Sequence, residues 1–266
     1  MDAPHWQGRR VLVTGCAGFL GGAVARALLD RGAEVVGLIH QSPTDLARYR
    51  APGKFHPIRG RAEDTFRIYS ALAVHEIEAV FHLASGPVFA TDRVAGAVVE
   101  AVRRFDSRIP TVLAHPDDGL RLAPTKVPVP LGVARFGEVF GPGDRKPFRT
   151  VPAILNGDSR RPDGPPRDFV FVDDAAHACL ALCEALTPQP QLRDETFRTG
   201  WSLTDRQMVT AVRDVVDGRP ALLLTAKLQA NPFDWQPARS FADAVTATIA
   251  WYRGAEPALT PVRLAA

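Results

Sequence analysis

The alternation of short apolar runs with amphipathic stretches over residues 10–136 predicts an α/β fold built on a doubly wound parallel sheet. Three observations carry that class. Strand-like runs such as "RVLVTG" and "EAVFHLA" are separated by helical patterns rather than hairpin turns, which requires crossover connections and parallel pairing. Runs such as "VLV" and "AVF" are apolar throughout, as burial on both faces of a sheet demands. The first run leads directly into a glycine-rich turn and a helix, the opening of a βαβ unit.

Taken in order, "RVLVTG" is the first strand and "GGAVARALLDRG" a helix that closes on Gly32. "AEVVGLIH" is the next strand, "FRIYSALAVHEI" a helix, and "EAVFHLA" a strand. "DRVAGAVVEAVRRF" has helical spacing, and "PTVLA" and "LGVARFG" are strands. Beyond residue 140 the texture changes, with Pro142, Pro147, Pro152, Pro162, Pro165 and Pro166 crowding a loop-rich region of short helices. "VDDAAHACLALCEAL" and "SLTDRQMVTAVRDVV" then read as helices, the second with Ser202 or Thr204 as a capping residue. The last helix, "SFADAVTATIAWYRG", stops at Gly254.

Composition narrows the functional classes. At 266 residues, 46% hydrophobic and 23% charged, the chain is long enough for one large α/β domain with a smaller appendage. A net charge of +3 suits an anionic ligand mildly. Only Lys54, Lys126, Lys146 and Lys227 among the 32 basic residues are lysines, and no basic block is interleaved with aromatics, so no nucleic-acid partner is expected. No apolar stretch approaches the ~18 residues of a membrane span. "MDAPHWQGRR" does not resemble a signal peptide. Cys16, Cys179 and Cys183 give no paired framework; with them a cytoplasmic location is expected, and Cys179 and Cys183 read as core packing on a helix.

The turn "VLVTGCAGFLGG" places Gly15, Gly18 and Gly21 between the first strand and the first helix. Gly15 serves the tight turn, Gly18 the close approach of backbone to a pyrophosphate, and Gly21 the packing of helix on strand. The helix N-terminus then offers N–H groups and the positive end of its dipole to phosphate. The fold is therefore expected to be a Rossmann-like doubly wound parallel sheet. Its domain covers residues 9–140, with part of 168–186 returning to it, and a small C-terminal α/β substrate-side subdomain covers 141–258.

"VTGCAGFLGGAVARALLDRGAEVVGL", "AVFHLA", "ARFGEVFGPGD" and "PDGPPRDFVFVDDAAHA" resemble the extended short-chain dehydrogenase/reductase superfamily, the NAD-dependent epimerases and dehydratases of nucleotide sugars. The order and spacing hold from about residue 9 to 186. "GPGDRKPFRTVPAIL" with "RDFVFVDD" is most similar to the sugar-nucleotide 4,6-dehydratase branch, and "DWQPARSFADAVTATIAWYR" to the family's closing segment. The resemblance implies NADP or NAD as cofactor and a nucleotide or nucleotide sugar as ligand. It implies that Thr14, Gly15, Gly18, Phe19, Leu20 and Gly21 line the pyrophosphate, and that Leu83, Ala84 and Ser85 run beside the nicotinamide half. Arg167 and Arg149 are the residues it assigns to the substrate diphosphate side.

Two departures weaken the adenosine side. Where relatives that use NAD carry an acidic residue for the ribose, this chain reads "GLIHQS", with Ile39 in that place. His40, Gln41 and Ser42 instead suit a 2′-phosphate, and Arg61 stands where an aspartate near adenine is usual. Dinucleotide binding is thus expected to be weakened and to lean toward NADP.

A third departure affects the chemistry. The family's acid–base group is the tyrosine of a Tyr-x-x-x-Lys pair on one helical face. Here the residues four after Tyr49, Tyr69 and Tyr252 are Gly53, Ala73 and Glu256, so no such pair exists. After the fifth strand the chain reads "AHPDDG" in place of hydroxyl residues, and Pro116, Pro124, Pro128 and Pro130 forbid a useful helix before "GVARFG". That link is also some thirty residues short, and the expectation is that the helix is deleted. His115, Asp117, Asp118, Lys126 and Glu138 cluster around the expected site as candidate substitutes, against the plainer reading of a solvated charged loop. No metal site is expected. The leading expectation is a catalytically degenerate NAD(P)-binding protein. The alternative is an active epimerase, dehydratase or non-redox lyase using His115, Asp117 or Lys126. Because the deleted helix is half of the family's dimer interface, a monomer or a dimer through another surface is expected.

Overall fold

The structure is a computed structural model, and it describes residues 5–40, 54–84, 91–116, 127–157, 164–219 and 230–254. The chain divides into two compact units, residues 1–135 with 176–196, and residues 136–175 with 197–266.

The first unit is organised by a seven-stranded sheet. Its strands are β1 (Arg10–Thr14), β2 (Glu34–Ile39), β3 (Phe55–Arg59), β4 (Ala79–His82), β5 (Thr111–Pro116), β6 (Pro130–Phe136) and β9 (Gln191–Thr196). Their spatial order is β3-β2-β1-β4-β5-β6-β9. The pairs β1–β2, β1–β4, β2–β3, β4–β5 and β6–β9 are parallel. The first six strands follow the doubly wound order in which the chain reverses direction across the sheet at the first strand. That reversal puts the carboxyl ends of β1 and β4 side by side, with Thr14 in register with His82.

Helices α1 (Phe19–Asp30), α2 (Thr65–Val74) and α3 (Thr91–Asp106) make the crossovers. Ile68, Leu72, Val98 and Val102 from α2 and α3 pack on Leu12, Val36, Val80 and Val133 of the sheet. Strand side chains alternate between faces, so Gly132 looks the other way. There a Cβ would meet Leu182 of α5 (Val172–Glu184) at 2.8 Å, and α5 therefore lies on the opposite face. Cys16, Cys179 and Cys183 are buried and in no disulfide, and burial drives the thiol pKa of both Cys179 and Cys183 upward, Cys183 to about 12. They are packing residues.

In the second unit β7 (Glu138–Phe140), β8 (Arg167–Phe171) and β10 (Ser202–Leu203) form a small sheet in the order β10-β8-β7. Phe140, Phe169, Phe171 and Trp201 pack there with Met208 and Val212 of α6 (Asp205–Val216) and with Phe241 and Val245 of α7 (Phe241–Tyr252). Thr204, not Ser202, caps α6, and Gln207 returns the bond to complete a capping box. A short α4 (Thr150–Leu155) completes this unit. No helix among the described residues is long and apolar enough to cross a membrane.

Two strands of the large sheet are not announced by the sequence. β3, "FHPIR", carries a proline and exposes His56, Pro57 and Arg59, as an edge strand can. β9, "QLRDET", is half-buried along its whole length at the other edge. Neither edge has an apolar run to mark it.

Candidate functional site

The site is built on the carboxyl edge of the large sheet. β1 ends at Thr14, and Gly15 turns the chain with φ near 71°, a conformation that favours glycine. A Cβ on Gly15 would lie 2.6 Å from both the Leu83 carbonyl oxygen and the Ala84 nitrogen. The segment after β4 thus closes directly over the turn, and the Leu83 N–H donates to the Thr14 carbonyl at 3.2 Å. A Cβ on Gly21 would meet the Gly15 oxygen at 2.1 Å, so the helix seats against its own turn only without a side chain there. Gly18 is the N-cap of α1; no side chain caps the helix, and no acidic residue lies in its first turn. The N-terminal end of α1 therefore keeps its positive character, at the switch point where open α/β sheets bind ligands. Gly18 has only the Gly15 oxygen near its missing Cβ, at 3.0 Å, which fits a position left bare for close approach of phosphate. The residues present fit a dinucleotide pyrophosphate.

Sequence reasoning missed one polar group of this edge. His82, at the end of β4, is 5% exposed and its Nδ1 lies 2.6 Å from the Thr14 hydroxyl. Burial pulls its pKa down to about 4, so the ring is neutral near pH 7. A histidine closing the apolar run "AVFH" was the available signal.

Beyond the ends of β2 and β3 the structure brings together His40 and Arg61, with Arg61 Nη1 at 2.8 Å from His40 Nε2. Glu63 accepts from the same guanidinium at 3.4 Å. Its pKa is lowered, first by a hydrogen bond within its own residue and further by Arg61. Gln41, Ser42 and Ser85 lie outside the described residues, as do Asp117, Asp118, Lys126 and the side chain of His115.

In the second unit Arg167 is held through its Nε and Nη2. Its Nη2 donates to the Thr150 hydroxyl and to Asp205 Oδ1, both at 2.6 Å, and its Nε donates to Glu138 Oε2 at 2.9 Å. Glu138 also accepts from the Thr150 N–H and hydroxyl at 2.8 Å each, capping α4. Glu138 is thus held as an ion-pair partner and helix cap. Asp168, next to Arg167 in sequence, instead accepts from the N–H groups of Thr199 and Gly200 at 2.9 Å. Arg149 faces Asp144 at 3.3 Å. Of the tyrosines, Tyr69 stacks edge-on against Phe105, and Tyr252 donates to the Asp144 carbonyl. Burial pushes Tyr252 up to about 12, the direction opposite to that of an acid–base tyrosine. Tyr49 lies outside the described residues.

Comparison with known proteins agrees with this geometry. Residues 11–101 match the NAD dependent epimerase/dehydratase family. A dTDP-4-dehydro-6-deoxy-D-allose reductase of Streptomyces bikiniensis is 28% identical over 95% of this chain and 99% of its own length. That alignment runs over 328 positions, more than this chain has residues, so the reductase carries stretches absent here. Among solved structures, the epimerase Mth375 of Methanothermobacter thermautotrophicus superposes with a TM-score of 0.74 at 18% identity, over 94% of this chain and 93% of that one. A dTDP-glucose 4,6-dehydratase of Bacillus anthracis, in complex with NAD, gives 0.73 at 15% identity over 94% and 98%. The glycine turn and the strand order thus agree with a family match over residues 11–101, and the chain shares the fold of these epimerase and dehydratase structures.

Proposed function

We propose that this chain binds NAD(P) at the glycine turn and has lost the usual acid–base chemistry of its relatives. The observation that carries the binding half is the uncapped start of α1, set beside a turn whose glycines leave no room for side chains, at the switch point of the sheet. The NAD dependent group and the NAD complex of the dehydratase neighbour support it. A bound nicotinamide supplies a hydride donor or acceptor. A sugar carbon that exchanges hydride also exchanges a hydroxyl proton, and this sequence has no Tyr-x-x-x-Lys to take it. Glu138, one of the candidate substitutes, is bound up with Arg167 and Thr150.

The nucleotide-sugar side points in the same direction. An arginine that meets a diphosphate needs free N–H donors, and Arg167 presents its own to Glu138, Asp205 and Thr150. A nucleoside-diphosphate sugar there would meet a guanidinium whose charge Glu138 and Asp205 already offset, so affinity for such ligands is expected to be low. The chain is then a dinucleotide-responsive binding or regulatory protein of sugar-nucleotide metabolism rather than a turnover enzyme.

Calorimetric titration and a turnover assay test both halves. NAD or NADP is expected to bind, Gly18→Val to abolish that binding while the fold persists, and dTDP-glucose and UDP-glucose to show no turnover. Robust turnover that disappears in His115→Ala would replace this reading with an active enzyme using a substitute base.

A further inference from the structure

We propose that the outward face of α2 docks a second copy of this chain, the two helices lying antiparallel about a two-fold axis.

This helix is apolar on both sides. Ile68, Ala71 and Leu72 form its inner side and are buried on the sheet. A surface helix ordinarily turns charged and polar residues outward. Here the outward positions are Phe66, Tyr69, Ser70, Ala73 and Val74, spaced as one face of a helix. Phe66 and Val74 are 78% and 75% exposed, and Tyr69 is 37% exposed. Tyr69 is braced edge-on against Phe105 of α3, so part of the ridge is held in place before any partner arrives. The one charged residue within α2 is Arg67, and its side chain is drawn back, with Nε donating to the Arg59 carbonyl at 2.7 Å. An uncharged ridge that exposes a phenylalanine and a valine marks an interaction surface.

The two ends of the ridge select the occupant. At the N-terminal end arginines outnumber carboxylates, with Arg59, Arg61 and Arg67 against Glu63 and Asp64. At the C-terminal end the balance is reversed, with Glu76 and Glu78 against Arg10. An antiparallel second copy lays the basic end of each helix on the acidic end of the other. That is the self-complementarity an isologous contact requires, and the helix dipoles oppose as well. Setting Tyr69 against Val74 of the second copy puts Ser70 opposite Ala73 and Arg67 opposite Glu76. The small pair lies nearest the axis, where the backbones must approach. Arg10 holds Glu76 only at 3.6 Å, and the Glu76 side chain is 75% exposed, so a guanidinium of the second copy competes against a weak partner. Carboxylates at both ends disfavour an anionic lipid surface as the occupant. Ten residues make a helix of ~15 Å. A face of that length with its rim buries on the order of 500 Å² per copy, below the ~800 Å² of a standard interface, so a dissociation constant of about 10–100 μM is expected.

Sedimentation equilibrium of the full chain from about 2 to 500 μM tests this, across the range that such a constant sets. The average mass is expected to rise from that of one chain toward that of two. Phe66→Glu and Val74→Glu should each weaken association about ten-fold or more, because each sets a charge within the apolar ridge. Both positions are exposed, and circular dichroism will report that the variants fold. Glu76→Arg should weaken association about three-fold or more, and joining it to Arg67→Glu should restore it, since both ends are then reversed together. A chain monomeric at every concentration overturns the proposal, and so does a dimer that neither Phe66→Glu nor Val74→Glu weakens. Flotation with phosphatidylserine vesicles covers the other occupant. Binding to them by a monomeric chain, lost in Phe66→Glu, would assign the face to a lipid surface and overturn the second copy.

Discussion

At the carboxyl end of β4 the ring of His82 is held neutral by burial against Thr14. Its folded pKa, about 4, lies below the ~6.5 of an unfolded histidine, so the unfolded chain binds protons first as pH falls. Its contribution is present above pH 6.5 and is lost progressively toward pH 4. Between pH 7 and 5 the loss is about 2 kcal/mol. Asp174 acts with the opposite sign. It is 2% exposed, accepts from the Ala238 N–H at 2.9 Å, and burial raises it to about 6. A carboxyl raised above its unfolded value favours the fold as pH falls from about 6 toward 4, so the two residues partly cancel in the whole chain. The variant His82→Asn, which cannot titrate, isolates the first. Urea denaturation at pH 7 and 5 should show this variant losing about 2 kcal/mol less than the unaltered chain; identical losses would show that the imidazole does not govern acid stability. For His82 the sequence offered only its place at the end of an apolar run, and for Asp174 nothing. The glycines announce themselves by spacing, whereas His82 and Asp174 owe their properties to burial that only the assembled fold creates.

Four elements of the second unit meet at one guanidinium. Arg167 from β8 binds Glu138 of β7, Thr150 of α4 and Asp205 of α6. Removing its charge leaves two carboxylates facing each other with 16% and 11% exposure. Breaking a fully buried pair costs about 3–5 kcal/mol, and for a side chain 31% exposed about 2 kcal/mol is the reasonable expectation. Arg167→Met should therefore lower the denaturation midpoint, and adding Glu138→Gln and Asp205→Asn should recover most of the loss. If the triple variant is less stable still, the network is not electrostatic in origin. The sequence shows Arg167, Glu138 and Asp205 as charged residues 29 and 38 apart, and only the meeting of β7, β8 and α6 makes them one cluster. The same limit applies to β3 and β9. Central strands are legible because two covered faces demand a continuous apolar run, but an edge strand such as "QLRDET" is set by the neighbour it pairs with. Arg135, 1% exposed inside "LGVARFG", is tolerated because Asp194 of that edge strand meets it at 2.5 and 2.9 Å.

For the whole molecule, the question is what α3 buries and what it leaves for a partner. Its Val98, Ala101 and Val102 are buried in the chain's own core, and Ala95 and Val99 pack against the same cluster. The apolar stripe is thus consumed within the unit, alongside α2, where Tyr69 meets Phe105. The other side of α3 carries Glu100 paired to Arg103 and Arg104 at 2.8 and 2.6 Å, and Gly96, where an added Cβ meets nothing within 4 Å. A charged ladder and a bare glycine do not supply the ~1,200–2,000 Å² of complementary surface that a stable dimer buries. We expect the chain to sediment as a monomer at micromolar concentration, or as a dimer through another face. Gly96→Arg places a long cation at the middle of α3, where two such helices would cross about a two-fold axis. That variant should leave the sedimentation coefficient unchanged. A dimer in the unaltered chain that Gly96→Arg dissociates would show that α3 builds an interface, and that its charged side is no barrier to association.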